Sequence, residues 1–86
     1  VDDRRGVPPG SYRFLQIGAF GAEGSAERLR SELQALLSEP VFVSPVQASG
    51  STLYRVRVGP VDDAQQLEAV QRTLTERGYS AGQPLP

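Results

Sequence analysis

The sequence contains no cysteine, no histidine and no lysine. Without cysteine there is neither a disulfide framework nor a thiolate nucleophile, and the redox compartment stays open because periplasmic domains also do without disulfides. Without histidine the commonest metal ligand is missing, together with the one side chain whose unperturbed pKa lies near neutrality. Neither a metal site nor a cofactor is expected, and catalysis loses its usual base. Every basic residue is an arginine; nine of them stand against ten Asp and Glu, for a formal net charge of −1. A nucleic-acid binder needs a basic excess to displace counterions from phosphates, so the balance argues against nucleic acid as a partner. Long apolar runs are missing too. None approaches the ~20 residues needed to cross a bilayer, so this domain is not expected to insert into a membrane.

What remains is 86 residues, enough for one small domain that buries roughly 60–65% of the surface its unfolded chain exposes. The opening Val1-Asp2-Asp3-Arg4 is neither an initiator Met nor a signal peptide, and the chain reads as a piece cut from something longer. Residues 1–10 carry two charge pairs, then Gly6, Pro8, Pro9 and Gly10, with almost nothing apolar; they read as a flexible linker, leaving 11–86 as the folded domain.

The folded part nearly repeats itself. Leu15-Gln16-Ile17-Gly18-Ala19-Phe20 returns 41 positions later as Val56-Arg57-Val58-Gly59-Pro60-Val61, and Ala26, Leu29 and Leu33 return as Leu67, Val70 and Leu74. Two half-domains of strand, glycine turn and helix follow from that offset. In the first, alternation over 12–18 predicts a strand with Leu15 and Ile17 inward and Phe14 and Gln16 outward. A helix capped by Ser25 then runs to about Ser38, carried by Leu29, Leu33, Leu36 and Leu37. Val41-Phe42-Val43 predicts a short edge strand stopped by Pro45, and Ala48-Ser49-Gly50-Ser51 a turn.

In the second half, 53–58 alternates with Tyr54, Val56 and Val58 inward and Leu53, Arg55 and Arg57 outward. Asp62 or Asp63 caps the next helix, Asp62 with Gln65 having capping-box spacing. Ala64, Leu67, Val70 and Leu74 form its buried stripe, Glu68 and Arg72 pair across one turn, and Gly78 closes it. Residues 79–83 predict a last strand, with Pro84 and Pro86 marking a frayed end. The order β-α-β-β-α-β predicts an α+β, ferredoxin-like fold. Two helices cover one face of a four-stranded antiparallel sheet, and strands one and three lie in the middle. The other face is left bare, carrying Phe14, Gln16, Leu53, Arg55 and Arg57.

The segments Leu15-Gln16-Ile17-Gly18-Ala19-Phe20 and Tyr54-Arg55-Val56-Arg57-Val58-Gly59-Pro60 resemble the two signatures of the SPOR (sporulation-related repeat) family. The resemblance covers about residues 12–84. It implies a non-catalytic, monomeric module that binds peptidoglycan glycan strands, preferring denuded GlcNAc-MurNAc strands from which the stem peptides have been removed. It further implies a place on the periplasmic side of a Gram-negative envelope, concentrated at the division septum. The C-terminal fit, the Pro-containing linker and the all-Arg composition are similar to the SPOR domain of an outer-membrane lipoprotein with lytic transglycosylase activity in another domain. Position by position, Gln16 matches the family's glutamine, Ala19 a small residue, Arg55 a third-strand arginine and Gln83 a fourth-strand position. The sequence departs from the pattern at Pro40 and Pro45, so no role is carried over to Phe42 or Ser44.

Each candidate also has a plainer reading. Gln16 by itself is a polar residue facing solvent or bonding its neighbour strand, and the resemblance makes it a ligand. Gly18 ends a strand and also lets a ligand approach the backbone. For Arg55 and Arg57 the plainer reading is charge that protects an open sheet from aggregation, and it competes with the ligand role more at Arg57 than at Arg55. Phe14 and Leu53 on a helix-free face form an apolar patch suited to stacking on sugar rings, unless a loop covers them. The adjacent carboxylates of Asp62 and Asp63 point different ways, unlike a glycosidase pair, and read as a helix cap. Two other functions share the fold. An RNA-recognition module would carry the Gly- and Phe-rich third-strand signature that Leu53-Tyr54-Arg55-Val56-Arg57-Val58 lacks, and an acylphosphatase-like hydrolase is weakened by the missing His and Cys.

Overall fold

A computed structural model describes residues 12–86; the linker assigned to 1–10 lies outside the described residues. Elements follow in the order β1 (Phe14–Phe20), α1 (Glu23–Leu36), β2 (Val41–Ala48), β3 (Ser51–Val58), α2 (Ala64–Glu76) and β4 (Gln83–Leu85). The four strands form one antiparallel sheet in the order β2-β3-β1-β4, with β1 and β3 central as the repeat requires. Of the strand residues expected inward, Leu15, Val56 and Val58 are buried in the core, while Ile17 and Tyr54 are half-buried against it. Leu15, Val41, Val56 and Val58 of the sheet pack with Ala26 and Leu33 of α1 and Leu67, Val70 and Leu74 of α2, all buried.

Several local expectations are corrected. β1 does not end at Gly18 but runs on to Phe20, past a bulge at Ile17 that interrupts its register with β3. On its far side Gly18 opposes Val56 and Ala19 opposes Arg55. One extra residue on one strand thus swaps the faces of all that follow. The first helix starts earlier than Ser25: Glu23 is its first residue, and Ala22 is an N-cap with no side-chain hydrogen bond. The acidic Glu23 in the first turn complements the positive end of the helix dipole.

β2 continues through Pro45 to Ala48. Pro45 sits exposed on an edge strand, where its missing N–H faces away from the ladder and costs no hydrogen bond. The last strand comes later than 79–83. Tyr79 is drawn back to α2 by an N–H bond to Leu74 O. Gly82, at φ +78°, then turns the chain so close to Leu15, Ile17 and Gln16 that a Cβ would lie 2.8–3.0 Å from them. Only after that does β4 pair with Phe14–Gln16, with Pro84 inside the strand.

The second helix is capped by Asp63, whose carboxylate accepts from Gln66 N–H at 2.8 Å, one position on from the Asp62–Gln65 spacing. Gln66 Oε1 accepts in return from Asp62 N–H at 2.7 Å. Glu68 and Arg72 form no ion pair; the exposed pair present joins Arg30 Nε to Glu27 Oε1 at 2.6 Å on α1.

Candidate functional site: the helix-free sheet face

The cross-strand register places one residue from each strand in a line across the bare face. Phe42 on β2 opposes Arg57 on β3, Arg57 opposes Gln16 on β1, and Gln16 opposes Gln83 on β4. A second, shorter line runs Ser44–Arg55–Ala19. Leu53 and its partner Val46 extend the face toward the β2–β3 turn, and Phe14 with Leu85 closes its opposite end. Thus Phe14, Gln16, Ala19, Leu53, Arg55, Arg57 and Gln83 lie on one surface. Gly18 is set apart: a side chain there would meet Phe20 and Leu29, on the helix side, so it offers the open face only backbone.

Among the described residues the face carries two arginines and no carboxylate. The Nε atoms of Arg55 and Arg57 are both enclosed and have no hydrogen-bond acceptor. Arg57 makes one long contact, Nη2 donating to Gln16 Oε1 at 3.5 Å. Burial, and secondly the neighbouring charge of Arg55, lowers the Arg57 pKa, which marks a positive charge that the protein does not answer. A buried donor without an acceptor is costly, on the order of 1–3 kcal/mol and more for a charged group, and a ligand that supplies an acceptor recovers that cost. The eight acidic residues among those described all lie on the helices or their adjoining loops. The described part is therefore polarised, although the net charge of the chain is close to zero.

Gly59 shapes one end of this surface. At φ +144° it has no Cβ, and one would stand 2.6 Å from Arg13 O and 2.7 Å from Phe14 Cδ1. That vacancy lets the Phe14 ring reach over β3 to Phe42. The two rings meet edge-to-face with centroids 6.0 Å apart and planes at 86°. Arg57 is consequently bordered by Phe42, Gln16 and the Phe14 corner. Sequence reasoning missed Phe42 and Ser44 because Pro45 reads as the end of a strand. The repeat offset was the signal that could have found Phe42, since it makes that residue the equivalent of Gln83.

No group of three His, Cys, Asp or Glu side chains suited to a metal occurs among the described residues, and no helix among them is long and apolar enough to cross a membrane. A shallow groove between the helices is lined by Leu36, Leu37, Glu39, Ala69, Val70 and Thr73 and holds no cluster of reactive groups.

Known proteins share this arrangement. The SPOR domain family profile matches residues 9–84. The endolytic peptidoglycan transglycosylase RlpA of Pseudomonas aeruginosa, from strains UCBPP-PA14 and PAO1, is 36% identical over 85 residues. The match takes in 98% of this chain and 24% of RlpA, so the chain spans about a quarter of those relatives. The crystal structure of the RlpA SPOR domain from Pseudomonas aeruginosa superimposes with a TM-score of 0.76 at 35% identity. That superposition covers 84% of this chain and 92% of that one. With the profile matching nearly the whole folded part and both signature segments in place on the two central strands, the chain belongs to the SPOR domain family, a family of peptidoglycan-binding modules.

Proposed function

We propose that the helix-free face binds peptidoglycan glycan strands and prefers those denuded of stem peptides. The observation that carries the reading is the pair of arginines, Arg55 and Arg57, whose enclosed Nε atoms have no acceptor on a face to which the described residues bring no carboxylate. MurNAc bears a lactyl group that ends in an amide when a stem peptide is attached and in a carboxylate when it is removed. Only the denuded strand brings a negative charge to the guanidiniums, whose planar forks suit a carboxylate. Gln16 and Gln83, each with donor and acceptor groups, hold N-acetyl amides and hydroxyls. Phe14 and Leu53 give apolar contact to sugar rings, Ala19 keeps the surface low beside Arg55, and Gly18 contributes backbone alone. A stem peptide is excluded by bulk as well as by its missing charge.

The domain acts as a monomeric, non-catalytic targeting module. Its parent is an envelope lipoprotein with lytic transglycosylase activity in another domain, brought by this module to the division septum from the periplasmic side. The deciding experiment is a pull-down with intact and amidase-treated sacculi. Retention should rise strongly on the treated material and withstand added RNA. Equal retention on both would remove the preference for denuded strands, and no retention on either would remove the glycan reading.

A further inference from the structure

Resting on that glycan reading, we infer that Arg57 and the Phe14–Phe42 corner form a seat for a carboxylate that carries a methyl on its α-carbon, so that the domain reads the lactyl group itself and not merely its charge. Arg57 is the direct cross-strand neighbour of Phe42. Phe14 reaches that neighbour over the space left by Gly59, and both rings remain only half-buried. An aromatic corner left partly open beside a guanidinium without a carboxylate partner joins two demands in one place. It needs an anion on the arginine and a small apolar group on the rings. Arg55 has no such corner, since its cross-strand neighbours are Ser44 and Ala19. The two arginines therefore differ: Arg55 answers charge, while Arg57 answers charge joined to an apolar substituent.

A lactyl ether satisfies both demands within one group, because its carboxylate and methyl share a carbon. A glycolyl ether has the same charge and reach but no methyl. An alanine-terminated stem peptide also joins a methyl to a carboxylate. However, it hangs from the MurNAc that the face is proposed to bind bare, so the seat is assigned to the glycan's own lactyl group.

The test is calorimetric titration of the domain with two synthetic glycans of equal length, one bearing free D-lactyl ethers and the other O-carboxymethyl ethers at the same positions. The lactyl glycan should bind about 3–10-fold more tightly, below the full value of a methylene in a closed pocket because this corner is half open. Phe42→Ala should bring the ratio close to one, while Phe42→Leu, which keeps apolar bulk and guards against loss of folding, should retain part of it. An excess of N-acetyl-D-alanyl-D-alanine should not displace the lactyl glycan. Equal affinity of the unaltered domain for both glycans overturns the methyl seat and leaves the glycan reading standing. A ratio that survives in Phe42→Ala, with the fold verified by circular dichroism, places the methyl elsewhere and overturns it too. Displacement by the dipeptide would assign the seat to peptide ends, and failure of both glycans to bind would take the glycan reading down with it.

Discussion

Gln16 and Arg57 face each other across the two central strands and are also equivalents in the internal repeat, 41 residues apart. A local two-fold axis therefore passes between them. The residue types on either side of that axis are different, an amide on one side and a guanidinium on the other. Phe42 and Gln83, the next pair outward, are likewise repeat equivalents with unlike chemistry. The backbone is duplicated, and the side chains of the open face are not.

Arg55→Ala should weaken binding to denuded glycan by about tenfold, the scale of a lost hydrogen bond between charged groups, and Gln16→Ala by several-fold. Neither change touches the core, so thermal unfolding followed by circular dichroism should move little. Ala19→Glu is the sharper variant. It sets a carboxylate opposite Arg55 and should gain up to about 1 kcal/mol of stability from the cross-strand pair while weakening the glycan. Unchanged affinity in all three would remove this face as the site.

The two signature glycines should part company when replaced. Gly59→Ala drives a Cβ to 2.6 Å from a backbone oxygen at positive φ, and a loss of about 3 kcal/mol or a failure to fold is expected. Gly18→Ala meets only Phe20 and Leu29 side-chain atoms, the nearest at 3.3 Å, and should cost less than about 1 kcal/mol. Urea denaturation of both variants reads the difference, and similar losses would contradict the geometry.

Charge recognition can be isolated with equal-length glycans whose lactyl carboxylates are either free or converted to methylamides. The amide should bind about 1–2 kcal/mol more weakly, and added salt should narrow the gap because the pair is only partly shielded from water. Among the described residues the site has no carboxylate, imidazole or thiol, so affinity should fall chiefly where the ligand carboxylate is protonated, near pH ~3.5. Equal affinity for the two glycans would show that stem peptides are excluded by shape alone.

A different pH effect belongs to the helix layer. Tyr79 donates its hydroxyl to Glu32 Oε1 at 2.8 Å, and its pKa is raised by that bond first, then by desolvation and the Glu32 charge. A raised phenol pKa stabilises the fold fully below the ordinary tyrosine range, near pH ~10, and that contribution is lost as pH climbs through the shifted value. In an ultraviolet titration a step above the ordinary tyrosine range is expected, and it should vanish in Tyr79→Phe. A titration unchanged by Tyr79→Phe above the ordinary tyrosine range would mean that the Glu32 bond does not hold in solution.

The repeat made the central strands, the core and most of the open face legible, because an equal offset in the two halves constrains many residues at once. The bulge at Ile17 was not legible. A single inserted residue leaves the apolar pattern intact while exchanging Gly18 for Ala19 beside Arg55. Tyr79 and Ala81 mimic strand alternation, but Tyr79 is claimed by Leu74 and Glu32, and the tight passage at Gly82 becomes visible only in three dimensions. Phe42 escaped because proline was weighed as a strand breaker, and the edge position that excuses Pro45 is a property of the whole sheet.

The line Phe42–Arg57–Gln16–Gln83 begins at an aromatic corner and ends at an amide. A polysaccharide has a reducing and a non-reducing end, and laid along this line it meets the rings first in one orientation and the amides first in the other. A surface with true two-fold symmetry would accept either. Here duplication supplied the length of the platform, and the divergence of its halves supplied a compass.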